Sequence, residues 1–326
     1  MIRGHRFIVL LLAVGLMASC QNTQEVSITA HPCAVCPSGR ASACACALDG
    51  KGYVFSGRDA TGTYLNDLWE YDPKTDSWLK VGNAPMNGRV NATMAADGGT
   101  LYMGLGYSAL RAYNDTAYQR DWWAYTPASG VWKKLADFPN ENTVAATSFV
   151  ADGQIYVLYG FGYGFTRDIY VYDIATDSWS QQEDKRVRAS ACAGACGAMK
   201  DGIVYFGTGY DTHNLTEWWA ADLTHNEWIE RQSVPGKGRQ FSACTAGKEY
   251  IYLFGGRHFA GELTGGEVFE SYLRYAPAKD AWEWCGAMPC GRAENMIALT
   301  INGKVYFGLG ENAAGEVLNN WYRIEE

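Results

Sequence analysis

The sequence predicts an all-β protein built from six copies of one unit, because two patterns recur along the chain. The first is a short strand that ends in glycine, and its tyrosine recurs every 47 to 54 residues: Tyr53, Tyr102, Tyr156, Tyr205, Tyr252 and Tyr306. The second is a hairpin that follows the first five of these strands, at residues 66–78, 121–132, 168–179, 217–228 and 271–282. Apolar and polar residues alternate around a turn in each hairpin, and the return strand begins at a tryptophan.

A period near 50 with four short strands per unit resembles the kelch repeat, in which strand-ending glycines precede a tyrosine and a tryptophan. The match covers nearly all of residues 25–326. The resemblance implies a six-bladed β-propeller, with one blade per repeat. A chain of this length would otherwise suggest two domains. We number the blades one to six along the chain, and the strands of each blade first to fourth.

The ends of the repeat region predict how the ring closes. The last repeat supplies only three strands, at residues 294–300, 304–309 and 321–324, whereas residues 26–30 form a strand before the first full blade. We therefore expect residues 26–30 to complete blade six as its outer strand, since closure leaves no exposed sheet edge. The strand before each repeated tyrosine is rich in small residues, which favours a position around the central channel.

The N-terminal region predicts export and a lipid anchor. Residues 1–19 have a basic start, an apolar run too short to remain as a spanning helix, and small residues before Cys20. Cysteine at this position resembles a bacterial lipobox, which implies lipidation of Cys20. Residues 20–25 then form a tether and residues 26–326 the propeller. The tether lacks an acidic run that resembles a surface-export signal, so the prediction is a lipid-anchored envelope protein that faces the periplasm.

The net negative charge of the chain argues against nucleic acid as a partner. Residues 1–19 hold two of the 27 basic residues and none of the 35 acidic ones, so the remaining chain carries a net charge of −10. An acidic chain of this kind offers no electrostatic footprint for DNA or RNA.

Arginines gather in loops on one face of the predicted ring, which we call the mouth. They enter the first strand in five blades or follow the second strand, and the candidate ligand contacts are Arg40, Arg89, Arg188, Arg239, Arg292, Arg58 and Arg257. Guanidinium groups bind carboxylates and phosphates through paired hydrogen bonds, so the sequence predicts an acidic ligand, either a glycan or a protein. The alternative is that nearby Asp and Glu residues pair with these arginines and hold the blades together.

The sequence leaves catalysis open. Glu294 and Glu311 near Arg292 are candidate proton carriers, but their spacing does not separate catalysis from packing. The envelope location, six blades and arginine-lined mouth resemble the N-acetylneuraminate epimerases, which are mutarotases of sialic acid, so a mutarotase is the alternative to a binding protein. Galactose oxidase, another kelch propeller, uses two Tyr and two His to bind copper. The histidines here do not form that set, so we expect no metal and no cofactor.

Cysteines predict two different roles. Cys33, Cys36, Cys285 and Cys290 fall near equivalent positions in neighbouring blades, so we expect at least one disulfide among them, with all three pairings open. Cysteines on the predicted channel strands are expected to be small buried thiols instead of metal ligands: Cys44, Cys46, Cys192, Cys196 and Cys244.

Overall fold

A computed structural model describes residues 24–108, 117–140, 143–162, 164–182, 189–261 and 266–325. Six antiparallel sheets surround a central channel, so the prediction of a six-bladed all-β propeller is confirmed. No helix in these ranges is long and apolar enough to cross a membrane. The predicted signal peptide, Cys20 and most of the tether lie outside the described residues.

Each blade contains four strands that run from the channel outwards. They are Cys44–Leu48, Lys51–Phe55, Asp67–Asp72 and Ser77–Asn83 in blade one; Thr93–Asp97, Thr100–Gly104, Trp122–Thr126 and Val131–Lys134 in blade two; Thr147–Ala151, Gln154–Phe161, Phe165–Asp173 and Ser178–Gln182 in blade three; Cys196–Lys200, Ile203–Gly207, Trp218–Asp222 and Glu227–Arg231 in blade four; Ala243–Ala246, Ile251–Phe254, Ser271–Ala276 and Ala281–Ala287 in blade five; Ile297–Ile301, Lys304–Gly308, Trp321–Ile324 and Ala30–Pro32 in blade six. Two short ladders at the mouth pair Arg257–His258 with Glu267–Val268 and Ala293–Glu294 with Glu311–Asn312.

The N-terminal segment closes the ring as predicted, but the closing strand begins later in the chain. Ala30–Pro32, not residues 26–30, pairs antiparallel with Trp321–Ile324. Gln24–Glu25 instead adds a fifth, parallel strand to blade five. The Val26 amide still donates to Trp284 O (2.9 Å), so the chain crosses from blade five to blade six only after that residue. The N-terminus therefore joins two blades instead of one.

The repeated hairpin is hydrogen-bonded to the preceding blade in the ring. In blade one, Asp76 accepts hydrogen bonds from Tyr71 Oη (2.7 Å) and from the Ala34 amide (2.9 Å), and Trp78 Nε1 donates to Ala34 O (2.9 Å). Blades three and five repeat this arrangement on Ala136 and Gln232. The hairpin's aromatic and acidic residues thus hold blades together, which explains why they recur.

Glycine is required after each second strand, because the backbone of a neighbouring segment approaches this position closely. Gly106 has φ +91°, and a Cβ there would lie 2.6 Å from Val90 O. Gly310 has the same φ, and its Cβ would lie 2.4 Å from Glu294 O. Any larger residue would therefore push the mouth loops apart, and its φ would be unfavourable as well.

One residue in every blade adopts a left-handed backbone just inside the mouth. We call these six residues the mouth belt, and their φ values lie between 53° and 65°: Ser42, Asn91, Ala145, Gly194, Phe241 and Asn295. Backbone hydrogen bonds of 2.8–3.3 Å connect members in adjacent blades, for example Phe241 N to Gly194 O and Asn295 N to Phe241 O. The belt fixes the side chains at the mouth relative to one another.

The four cysteines of the predicted disulfide lie in two separate pairs. Cys33, Cys36, Cys285 and Cys290 are free thiols in this structure, and the two pairs pack in different cores. Cys33 and Cys36 contact the cluster around Trp321 between blades six and one, whereas Cys285 and Cys290 belong to the cluster between blades five and six. The equivalent sequence positions therefore do not bring the two pairs together.

Candidate functional site

Two of the predicted mouth arginines form buried ion pairs inside their own blades. Arg40 donates to Asp67 through two hydrogen bonds (2.8 and 3.3 Å) and to Ser56 O (3.0 Å). Arg89 binds Asp121 in the same way (2.6 and 3.0 Å). Burial alone would raise the pKa of Asp67, but the hydrogen bond and charge of Arg40 outweigh it and hold this pKa below its usual value.

Arg239 occupies the equivalent position in blade five but lacks a carboxylate partner among the described residues. Ser271 stands where blades one and two have aspartate, and it accepts only a long hydrogen bond of 3.4 Å. The guanidinium carbon instead lies 4.0 Å from the centre of the Phe269 ring, and Nε has no hydrogen-bond partner. Burial lowers the pKa of Arg239 to about 10.

These positions decide which predicted arginines a ligand can reach. Arg40, Arg89 and Arg239 are each at most 1% exposed, so a ligand at the mouth does not contact them. The carboxylate contacts of Arg40 and Arg89 match the alternative stated from the sequence, in which Asp and Glu residues pair with the arginines and hold the blades together. Arg188 lies outside the described residues. Arg292 is accessible at the mouth, with its side chain 54% exposed and 3.9 Å from Glu270.

Three of the remaining candidates, Arg257, Glu294 and Glu311, line a cavity of about 500 Å³ between blades five and six. Arg257 and Glu294 line it and form two hydrogen bonds, from Nε (2.7 Å) and Nη2 (2.5 Å), both to Glu294 Oε1. No described residue donates a hydrogen bond to Glu294 Oε2. The pairing with Glu294 raises the pKa of Arg257, so the guanidinium stays charged.

A second ion pair borders the same cavity. Glu311 lines the cavity and accepts hydrogen bonds from Arg58 Nη2 (2.6 Å) in blade one and from Asn295 Nδ2 (2.8 Å) of the mouth belt. The ladders that carry Arg257, Glu294 and Glu311 explain why residues far apart in sequence meet here. The site thus combines two guanidinium groups with two carboxylates.

Aromatic side chains supply an apolar wall. Phe241 and Phe259 line the cavity, and two hydrogen bonds with Asn214 (2.7 and 2.8 Å) fix the backbone of Phe259. Phe241 has φ +54°, which is unusual for a large side chain. A Cβ on Gly194 would come within 3.0 Å of the Phe241 ring, so glycine there makes room for it. Backbone outliers of this kind concentrate at functional sites.

The sequence alone did not indicate Gln240, Phe241 and Asn295 as members of the site. The spacing in the sequence could have indicated Phe241, because residue 241 follows Arg239 by two, as Ser42 follows Arg40 and Asn91 follows Arg89. Phenylalanine stands out where the other blades have small residues or asparagine. Recognising it requires knowing that this position has a left-handed backbone.

The fold and the repeat define a kelch propeller, and comparison with known families agrees. The family model described as the KLHDC2/KLHL20/DRC7 Kelch-repeats domain matches residues 17–207, and the chain belongs to this family. Among solved structures, the one described as "Structure of YjhT" superposes with a TM-score of 0.74, covering 90% of this chain and 99% of that chain, at 16% identity. That similarity establishes the fold.

Similar proteins include bacterial N-acetylneuraminate epimerases. The one from Yersinia enterocolitica is 24% identical over 287 residues, covering 69% of this chain and 73% of that protein. The one from Pasteurella multocida is 28% identical over 150 residues, covering 36% of this chain and only 39% of that protein. Kelch-like protein 35 of Mus musculus is 30% identical over 229 residues, covering 69% of this chain and 36% of that protein.

Proposed function

We propose that the cavity between blades five and six binds an acidic sugar of the sialic acid class. The observation that carries this proposal is a cavity with an aromatic wall that is lined by Arg257 and by Glu311, the partner of Arg58. Guanidinium groups of this kind bind a sugar carboxylate through charge-assisted hydrogen bonds. Phe241 and Phe259 offer apolar surface to the face of the sugar ring, which is how small-ligand sites combine fit with orientation.

A second candidate function is mutarotation of the same sugar. Anomers exchange when a base takes the proton of the anomeric hydroxyl, an acid protonates the ring oxygen, and the bond between the ring oxygen and the anomeric carbon breaks before it forms again on the other face. Glu294 Oε2 favours this function, since it receives no hydrogen bond from described residues while Oε1 holds Arg257. The naming of several similar proteins as N-acetylneuraminate epimerases also favours it.

The two functions are separated by one NMR experiment on free N-acetylneuraminate. Ligand-observed spectra report binding, and exchange spectroscopy reports the interconversion of α and β anomers. A mutarotase accelerates exchange in the wild type, and Glu294→Gln lowers that rate while binding persists. A binding protein gives the binding signal without acceleration. The acidic-sugar proposal fails if neither signal appears at high protein concentration.

Two variants connect either result to the cavity. The double variant Arg58→Ala/Arg257→Ala is expected to abolish binding and exchange. Arg323→Gln is the matched control, because its side chain is 29% exposed, compared with 31% for Arg58, but it lies on the third strand of blade six and pairs with Glu325. The control is expected to behave like the wild type.

We further propose that the chain is an envelope lipoprotein anchored through Cys20 and facing the periplasm. The signal-like residues 1–19 and the cysteine that follows them support this proposal. Mass spectrometry of the N-terminal peptide from the membrane fraction tests it. A diacylglyceryl-modified Cys20 supports the anchor, whereas an unmodified N-terminus in a soluble fraction contradicts it.

A further inference from the structure

One position of the repeat divides the mouth into two halves. Its residue comes directly after the glycine at the end of the second strand and pairs with the residue that precedes the mouth belt. Blades five, six and one have charged residues at this position, whereas blades two, three and four have aromatic residues: Arg257, Glu311 and Arg58, then Tyr107, Phe161 and Tyr210. The mouth therefore has a charged half and an aromatic half.

The two halves meet at the proposed sugar cavity. Arg257 and Glu311 of the charged half line this cavity, and Arg58 donates to Glu311 (2.6 Å). The cavity wall also includes Phe259, whose ring centroid lies 5.2 Å from that of Tyr210 in the aromatic half. The aromatic half thus begins at the wall of the cavity.

A row of four rings leads from the cavity across blades four and three. We call Phe259, Tyr210, Phe165 and Phe161 the aromatic row, and its successive ring centroids are 5.2, 5.9 and 5.2 Å apart. The ring planes are inclined by 58–85°, and such tilted and edge-to-face contacts cover only part of each ring. Phe161 is 36% exposed, and the other three side chains are half-buried. The row is therefore a continuous apolar surface that a ligand can reach.

The backbone holds the aromatic row in place. Phe161 and Phe165 lie opposite each other at the end of a β-ladder. Tyr210 exchanges two backbone hydrogen bonds with Ala193 (3.0 and 3.1 Å), and Asn214 fixes Phe259. A surface that is ordered before binding loses little conformational entropy when a ligand covers it.

The chemistry of the aromatic row favours neutral sugars. The face of an aromatic ring is negatively polarised, so it attracts the C–H groups on the face of a sugar ring. Contiguous exposed apolar surface of this kind marks binding sites on soluble proteins. Tyr210, Phe165 and Phe161 do not line the cavity, so they are placed for a part of the ligand outside it.

We propose that the ligand is an oligosaccharide, whose acidic sugar occupies the cavity and whose neutral sugars lie on the aromatic row. This proposal rests on the proposed function, in which the cavity binds an acidic sugar. The charged half recognises the carboxylate, and the aromatic row selects a longer glycan over the free monosaccharide.

Isothermal titration of the full chain tests this proposal by comparing N-acetylneuraminate with sialyllactose, in which the same acidic sugar carries two neutral sugars. The wild type is expected to bind sialyllactose about 10-fold more tightly, because the neutral sugars cover apolar surface of the row. In Phe161→Ala/Phe165→Ala the two compounds are expected to bind with equal affinity, since the row is shortened.

Trp284→Ala is the matched control, because Trp284 is 37% exposed but lies on the outer strand of blade five. This variant is expected to keep the preference for sialyllactose. Equal affinities in the wild type would overturn the aromatic row as a subsite and leave the proposed function standing, as would a preference that persists in the double variant. If neither compound binds the wild type, the proposed function and this proposal fail together. The wild-type comparison does not depend on the folding of any variant.

Discussion

Two kinds of arginine–carboxylate pair lie close together in this propeller, and they differ in burial more than in chemistry. Arg40 pairs with Asp67 inside blade one, where the arginine side chain has no exposed surface. Arg58, only 18 residues later, pairs with Glu311 of blade six at the mouth, where its side chain is 31% exposed. The first pair fixes a blade, whereas the second borders a cavity.

The difference follows from which groups each arginine must satisfy. Arg40 donates to the carbonyl of Ser56, a residue with φ +64° at the end of the second strand, so the arginine stabilises an unfavourable turn. Arg58 spans two blades instead, and its partner Glu311 lines the cavity at the mouth. We therefore expect buried pairs to determine stability and mouth pairs to determine ligand binding.

Removing a buried carboxylate is expected to have the largest effect. Asp67→Ala leaves the buried Arg40 without its carboxylate, and the free energy of unfolding should fall by about 3–5 kcal/mol. Urea denaturation measures this loss. The control is Asp137→Ala, whose exposed pair with Lys134 (3.3 Å) should contribute only about 0–1 kcal/mol. Similar losses in both variants would remove the distinction by burial.

Arg239 allows a second comparison, between a buried arginine that has a carboxylate partner and one that has none among the described residues. Arg40→Met leaves Asp67 without its main partner and is expected to destabilise the fold by several kcal/mol. Arg239→Met leaves no carboxylate behind and removes a buried charge, so its cost should be about 1 kcal/mol or less. Chemical denaturation of both variants measures the difference. A greater loss for Arg239→Met would mean that its contact with Phe269 outweighs a carboxylate pair.

Lowering the pH should remove part of the stability that the buried pair of Arg40 and Asp67 contributes. Because the pKa of Asp67 is lowered in the folded state, its stabilising effect is fully present above the usual pKa of an aspartate and is lost as the pH falls through the folded value. The difference in stability between the wild type and Asp67→Asn should therefore be constant near neutral pH and narrow below about pH 4. Thermal melts across this range test the sign, and a difference that widens in acid would refute it.

The sequence predicted the propeller because repetition states the same structural requirement six times. It predicted less of the site, since nothing in the spacing separates Arg40, which is buried, from Arg58, which is not. The burial of Arg40 depends on Asp67, which the fold places opposite it. The pocket residue Phe241 needed a backbone angle, and the cysteine pairs needed three-dimensional distances that equivalent positions in the repeat do not provide.

Isothermal titration of N-acetylneuraminate into Arg257→Gln, compared with the wild type, tests the central claim most directly. Losing a charge-assisted hydrogen bond should weaken binding to the folded variant by about 10- to 100-fold. Unchanged affinity in a folded variant would contradict the claim that the mouth pairs serve the ligand and the buried pairs the fold.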